Sequence, residues 1–570
     1  MSLLVFLVAC GIGAVVGLAV RPSEWLSRLV GLACLLVAFV AALTIGPSTT
    51  LAIGDVTLAA TSYSGFFLAC VAGSALLVCL AAIALDRPDE VAPAAQILFV
   101  GLAIAVTAAD PRLALAAGAA AATAGALLFR RQVPRDSEAD GRLAEMRTIG
   151  LVTVGLGLAV ITIVRPPWSG PGGGPVFGLA FLVVGLAVAV RSGAVPFHVP
   201  AARLGLTAAP LSPAMLLVWI PAGLAVLAIS WNATIFGAEN GWLSAAVAMV
   251  QVIALATLVL GPLAATVHDE LEEVVAYSIV ADAGFVLLAM AARSDAATEP
   301  ARLWLLVFIA AKTGLVVWAA AVSRAFGTSS VPRLRGWLRR TPMLGLALTV
   351  IFVATLGWPG SPVFEARSTL IRLALPSGLQ FLFAGSIVLA AASYGRLLLI
   401  GLASPTEEVQ LAGSELPRWP AAAALATAPD PGAAPNGSAT IDPPADPQGK
   451  PRAGSRVHRR LTAAWRLDRT AVASLIVIGG AALAAALALG GLGATAAAGS
   501  GIPLDTAAHA TPALAPTQPP LRPPTPTPLP SLAPRPAPAP SVSAGPSGSL
   551  PPSASPAPIK TSPPAQPNTD

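Results

Sequence analysis

Charge is what this chain has least of: 11% of its 570 residues are Asp, Glu, Lys or Arg, where a soluble domain carries about a quarter. With 55% hydrophobic residues and a mean hydropathy of +0.76, that scarcity excludes an ordinary soluble protein. Cysteine is scarce as well. The four present, Cys10, Cys34, Cys70 and Cys79, each sit inside an apolar run and none belongs to a CxxC, which leaves no thiolate set for a zinc ion or an iron–sulfur cluster, and no metal site is expected. Also missing is any Lys or Arg ahead of the first apolar run, Met1 to Val20. A secretory signal peptide needs a basic n-region, so this run reads as a first membrane span, even though Leu7-Val8-Ala9-Cys10 is similar to a bacterial lipoprotein cleavage box. The excess of Lys+Arg 34 over Asp+Glu 28 is small and gathers in short segments between apolar runs, so it marks loops and implies no nucleic-acid partner.

Apolar sequence of membrane-crossing length is what the chain has in abundance. A helix needs about 20 mainly apolar residues to cross a bilayer. Windows of that kind fall near 2–20, 28–45, 63–85, 93–109, 112–129, 148–164, 176–191, 209–229, 242–264, 273–292, 302–322, 343–375, 378–402 and 472–490. Long runs rich in Ala and Leu do not alternate in polarity as barrel strands do, so the expected class is an all-α integral membrane protein of about fourteen helices. Basic residues are retained on the cytoplasmic side. Loop five carries Arg130, Arg131, Arg135, Arg142 and Arg147, and loop eleven carries Arg324, Arg333, Arg335, Arg339 and Arg340. Loop thirteen adds Lys450, Arg452, Arg456, Arg459 and Arg460, whereas loops two and eight have none. This places a multi-pass protein in the cell's inner (plasma) membrane with both termini outside the cytoplasm.

Composition divides the chain further. Residues 1–92 hold the first helices, 93–402 a central transmembrane domain, and 403–470 a Pro-, Ala-, Gly- and Asp-containing stretch that reads as a cytoplasmic linker of low order. A final helix follows at 471–490. Residues 491–570 are rich in Pro, Ala, Ser and Thr; they lack the means to bury a core and are expected to form a disordered extracytoplasmic tail.

Two spans are interrupted. The seventh is apolar from Val176 to Val190 and then meets Arg191, Pro196, His198 and Pro200; the twelfth is apolar through Leu356 and then meets Gly357-Trp358-Pro359-Gly360-Ser361-Pro362, Glu365 and Arg367. Proline removes a backbone donor and clashes with the preceding turn, so unwound backbone is expected there, lining a cavity or covered by protein. The breaks lie five spans apart. Five is odd, so corresponding helices run in opposite directions, the arithmetic of inverted five-helix repeats (about 93–229 and 242–402) around an ion or substrate path.

Ionisable groups inside spans are costly and are functional candidates by default. Asp282 sits ten residues before the end of its window and Lys312 ten residues after the start of the next, so antiparallel packing puts both at one depth, where an ion pair relieves desolvation. Arg191 and Arg367 mark the breaks as fixed charges, since arginine stays protonated. His198 and His268 lie near span ends, and histidine is the side-chain type suited to exchanging a proton near neutral pH. The candidates for a proton pathway are therefore Lys312, Asp282, Arg191, Arg367, His198, His268 and Glu365, with Pro196 and Pro359 shaping the breaks.

These residues resemble a known family, the antiporter-like membrane subunits of proton-translocating NADH:quinone oxidoreductase (respiratory complex I) and their relatives in multisubunit cation/proton antiporters, with subunit N the most similar. Arg191-Ser-Gly-Ala-Val-Pro196-Phe197-His198 looks like the family's lysine, four residues, Pro-Phe-His. Ala209-Pro210-Leu211-Ser212 looks like the Ala-Pro-Val-Ser that follows it. Glu270-Leu-Glu-Glu-Val-Val-Ala276-Tyr277-Ser278, continuing to Gly284-Phe285, is similar to the segment with Ala-Tyr-Ser-Ser and His-x-Gly-Tyr. Leu356-Gly357-Trp358-Pro359 through Arg367 resembles Leu-Ala-Gly-Ile-Pro and Gly-Phe-x-Gly-Lys. The likeness covers roughly 90–400.

The resemblance implies fourteen helices, inverted repeats, and a relay of one glutamate and several lysines that moves protons. At those positions this chain differs: Ala120 for the fifth-helix glutamate, Arg191 and Arg367 for lysines, Ile220 near the eighth-helix lysine, Asp282 for a histidine, and Glu272-Glu273 for a basic pair. Lys312 stays, in a position where relatives also carry lysine. The function implied is proton translocation by a non-redox membrane subunit, with NADH, FMN, iron–sulfur clusters and quinone on other membrane and redox subunits and no cofactor on this chain. The alternatives are a cation/proton antiporter subunit and a non-pumping scaffold or assembly subunit with a degenerate relay.

Overall fold

In a bilayer every backbone polar group must be satisfied within its own segment, so apolar runs of this length fold as helices. The computed structural model of the chain describes residues 2–20, 23–47, 49–54, 56–85, 91–130, short pieces between 148 and 159, 173–199, 211–234, 241–404, 454–501 and 503. The helices are α1 (Ser2–Ala19), α2 (Glu24–Leu43), α3 (Ser62–Ala84), α4 (Val91–Thr107), α5 (Pro111–Arg130) and α6 (Gly173–Arg191). A π-helical turn, Ala214–Trp219, leads into α7 (Ile220–Thr234), followed by α8 (Gly241–Val267), α9 (Leu271–Ala291) and α10 (Asp295–Phe326). The broken span is α11 (Pro342–Leu356) and α12 (Pro362–Ala374); α13 (Leu382–Leu402) and α14 (Gly454–Ala488) complete the set, and the short helix Leu492–Ala497 follows.

Among the described residues, eight helices are long and apolar enough to cross a membrane, and five shorter apolar helices accompany them. Together they match thirteen of the fourteen expected windows. The sixth, 148–164, lies largely outside the described residues, as do most of the expected linker and of the expected tail.

The helical class holds, with one small addition: β1 (Thr50–Ile53) and β2 (Val56–Ala59) form an antiparallel hairpin between α2 and α3, with Ile53 paired to Val56 across the turn. Gly54 takes φ +59°, a conformation glycine adopts without strain, and Gly-Asp between short alternating runs is a hairpin signal in the sequence. The last helix also starts earlier than its apolar window. It begins at Gly454, inside the stretch expected as linker, because no proline follows to stop an Arg-, Leu- and Ala-rich segment.

The apolar windows of α9 and α10 are wholly buried, so these two helices form the axis of the molecule. Glycine allows α8 to approach α9: a Cβ at Gly261 would meet the Ala281 Cα at 2.7 Å. α14 packs along α10 and α11 on the other side, where Gly314 and Gly480 face each other and a Cβ at Gly480 would meet the Gly314 Cα at 3.6 Å. The N-terminal helices are continuous with this body, α1 on α4 and α3 on α10, so residues 1–511 form one compact unit.

Candidate functional site

Ser278 and Asp282 are four residues apart on α9 and share one face of the helix. That face meets Lys312 of α10. The Lys312 ammonium forms an ion pair with Asp282 Oδ2 and donates to Ser278 Oγ at 2.9 Å and to Tyr394 OH at 3.1 Å. Ser278 Oγ and Tyr394 OH are themselves 3.1 Å apart. An ammonium has three N–H donors, and here each finds an acceptor. Lys312 is 0% exposed and Asp282 4%. Burial at that level is tolerated only for charges that are paired and hydrogen-bonded. Tyr394 arrives from α13, its ring held 5.1 Å from that of Phe352 on α11, while Thr313, next to Lys312, accepts the indole N–H of Trp219 at 2.9 Å. The π-helical turn is thus tied to the same depth of α10.

Arg367 lies close by, in a different role. Its Nη1 donates at 3.0 Å to the carbonyls of both Thr355 and Leu356, the last residues of α11, and its guanidinium stacks over Phe285 (4.3 Å) and Trp304 (5.3 Å). A helix end leaves carbonyls without partners and carries partial negative charge; a guanidinium from the second half-helix satisfies both needs. Ser361 does the rest, accepting from the amides of Trp358 at 3.0 Å and Phe364 at 3.4 Å. Trp358, Pro359 and Gly360 are exposed on this chain, and the unwound backbone is satisfied locally by Ser361 and Arg367. Glu365 is exposed in the first turn of α12 and is not part of the buried cluster.

At the other break, Arg191 is the buried last residue of α6. Pro196 follows, exposed and joined to Val195 by a cis peptide bond, and the Val195 amide donates to Thr257 Oγ1 of α8 at 3.0 Å. His198 is half-buried there. His198 and His268 flank one aromatic ring: Tyr277 is 6.1 Å from the first and stacked at 4.7 Å on the second. His268 Nδ1 is 2.7 Å from Glu273 Oε2. The two histidines, distant in sequence, line a common cleft of about 280 Å³ with Val195, Gly261, Val267 and Tyr277. Glu273 and Tyr277 lie on a face of α9 about 100° from that of Ser278 and Asp282, so the cleft and the ion pair share a helix but not a surface.

Three contributors went unnoticed in the sequence. Ser278 appeared only as part of a motif, and Tyr394 and Arg396 lie more than 80 residues from Lys312, inside the 378–402 window. A signal existed for Tyr394: the chain has three tyrosines, and one inside an apolar span has a hydroxyl to satisfy. Arg396 donates to the Thr266 carbonyl at 2.8 Å and pairs with Asp269, closing the α8–α9 turn. Glu270 and Glu272, near the position of the family's basic pair, accept hydrogen bonds from Ser329 (2.6 Å) and Ser323 (3.3 Å). Ala120 is exposed on α5 and Ile220 buried in α7. Among the described residues, no group of three or more His, Cys, Asp or Glu side chains is arranged to hold a metal ion.

Residues 173–392 match the transmembrane family described as NADH:quinone oxidoreductase/Mrp antiporter. A relative from Streptomyces griseus subsp. griseus, NADH-quinone oxidoreductase subunit N 1, is 30% identical over 297 residues, 50% of this chain and 61% of the relative. Subunit N from Halorhodospira halophila is 28% identical over 207 residues, 35% of this chain and 41% of its own. The chain thus spans about half the length of these relatives. Two solved structures share the fold at 18% identity: respiratory complex I from Thermus thermophilus (TM-score 0.56, covering 86% of this chain and 99% of that one) and the Mrp complex from Dietzia sp. DQ12-45-1b (TM-score 0.57, 85% and 97%). Residues 173–392 thus match the transmembrane domain described for NADH:quinone oxidoreductase and Mrp antiporter subunits, and the chain shares its fold with these two solved structures.

Proposed function

We propose that this chain is a membrane subunit of a proton-translocating NADH:quinone oxidoreductase-type complex, passing protons in response to electron transfer in its partners. The observation that carries the reading is the buried Lys312–Asp282 pair with two hydroxyls on the same ammonium. Transfer of one proton from Lys312 to Asp282 leaves both neutral, which removes the charge the interior must stabilise. A proton delivered through the Ser278 and Tyr394 hydroxyls then restores the ammonium, and Asp282 releases its proton to the other side; one proton has moved and the site is reset. NADH, FMN, iron–sulfur clusters and quinone belong to partner subunits on this reading. Both termini lie outside the cytoplasm, as the distribution of basic loops favours.

Extraction in mild detergent, tagged co-purification and NADH:quinone activity on the same fraction test the assignment. Co-elution with redox subunits and active turnover supports it; elution with antiporter-like chains alone, with sodium- or potassium-dependent proton exchange, refutes it. One observation favours a second reading, a non-pumping scaffold. Ala120 and Ile220 do not titrate, and Arg367 is engaged with helix-end carbonyls, so much of the family's relay has no group that changes charge. Proton uptake per electron that is the same with Lys312→Met as with the parent chain would favour the scaffold.

A further inference from the structure

The connection between α10 and α11 alternates in burial. Val331, Leu334 and Trp337 are buried, whereas Arg333, Arg335 and Arg339 are exposed. Its backbone is fastened on two sides: the Val331 amide donates to the Asp269 carbonyl at 2.7 Å and the Gly336 amide to the Ile400 carbonyl at 3.0 Å, while the Trp337 indole donates to the Leu397 carbonyl at 3.0 Å. The carboxylates of the adjoining α8–α9 turn are already engaged, Asp269 with Arg396, Glu273 with His268, and Glu270 and Glu272 with Ser329 and Ser323. Among the described residues the three exposed arginines have no carboxylate partner. The bonds to Leu397 and Ile400 also set their depth. α13 has 21 residues, a length of about 32 Å that matches a hydrocarbon core of about 30 Å, so its last turn reaches the headgroup layer. The single helical turn Trp337–Arg340 stands level with it, and apolar surface adjoins that turn on both helices: Leu399 of α13 is 69% exposed and Leu346 of α11 56%.

We propose that Arg333, Arg335 and Arg339 form a docking strip for the phosphate groups of anionic phospholipids. A guanidinium presents paired N–H donors that match two phosphate oxygens, and basic residues at the edge of a membrane span draw anionic headgroups to them. The bilayer supplies both chemistries at this depth, a phosphate for the arginines and acyl chains for Leu346 and Leu399. A backbone already held by Val331, Leu334 and Trp337 has little freedom left to lose when the headgroup docks, which sets this connection apart from a loose basic loop. The bound lipid also braces the helices around the buried ion pair. The Trp337 ring lies 5.4 Å from that of Trp318 on α10, the helix that carries Lys312, and the strip is bonded to α13, the helix that carries Tyr394.

This inference does not rest on the proposed function. The full chain is placed in nanodiscs of equal parts phosphatidylglycerol and phosphatidylcholine, extracted into mild detergent, and the lipid that stays bound is identified by mass spectrometry. The parent chain is expected to retain phosphatidylglycerol in preference, and Arg333→Gln/Arg335→Gln/Arg339→Gln to lower that preference by about fivefold for each arginine removed. Arg112→Gln, at an exposed arginine in the first turn of α5, is expected to leave it unchanged. A second measurement is the melting temperature, expected to be higher for the parent in the mixed discs than in phosphatidylcholine alone, with the gap reduced in the triple variant. All three side chains are exposed, and if the triple variant nevertheless fails to fold, Arg339→Gln alone carries the same test. No preference in the parent, an equal preference in the variants, or an equal loss from Arg112→Gln overturns the proposal. Loss of a co-purifying subunit from the triple variant, with the lipid preference intact, assigns the strip to an acidic protein face and overturns it as well.

Discussion

Lysine occurs three times in this chain, at 312, 450 and 560, and Lys312 alone lies among the buried residues described. Its ammonium is matched so fully that removing either member of the pair leaves a charge stranded. Lys312→Met is expected to destabilise the folded chain by about 3–5 kcal/mol, and adding Asp282→Leu to recover much of that loss, since an uncompensated buried charge costs more than an apolar replacement of both. Thermal unfolding in detergent of the two variants checks the order. Tyr394→Phe keeps the ring beside Phe352 but removes an acceptor from the ammonium, an expected loss of about 1.5–3 kcal/mol. The meeting of Asp282 with Lys312 is legible in the sequence, because each stands ten residues from the facing edge of its apolar window, at 292 and 302, and antiparallel helices keep step. Tyr394 is not: its approach depends on how α13 rotates about its own axis, and the apolar pattern of a membrane helix carries little information on which face turns inward.

The broken span shows what glycine and arginine each contribute to an element. Gly357 has φ +77°, and a Cβ there would meet the Phe364 amide nitrogen at 2.8 Å; Gly360 has φ +87° but open space around it. Gly357→Ala is therefore expected to cost more than Gly360→Ala, which bears only the left-handed backbone penalty of about 1–2 kcal/mol. Comparing the melting temperatures of the two variants measures the difference. That the span breaks is legible from Gly357-Trp358-Pro359-Gly360-Ser361-Pro362, as two prolines and two glycines in six residues leave no continuous helix. How the break is closed is not, because the guanidinium that satisfies its carbonyls comes from beyond it, and the sequence alone presents Arg367 as a substituted relay residue rather than as a cap. The hairpin before α3 escaped notice for a different reason: strands of four residues are too short for their alternation to stand out beside apolar runs of twenty.

At the scale of the whole molecule, the number and order of spans follow from apolar length alone, whereas their arrangement does not. The first three helices and the last read as additions to a central domain, yet α3 and α14 both pack against α10 and close the body around Lys312. Residue 500 is fastened to this body as well, its carbonyl accepting from the Tyr63 amide at 3.1 Å. Deleting residues 512–570 is accordingly expected to leave the melting temperature of the membrane domain unchanged, and ending the chain after residue 453 to lower its yield in the membrane sharply; fluorescence-detected size exclusion of the two truncations checks both. The Gly314–Gly480 contact bears on biosynthesis. A chain is made from its N-terminus and its segments settle in that order. The helix carrying Lys312 enters the bilayer long before Gly480 exists, and its glycine flank faces lipid until the ribosome has finished more than 150 further residues. Maturation of the charged centre is thereby timed to the end of translation, and a nascent chain that stalls in the linker leaves its costliest residue without its last neighbour.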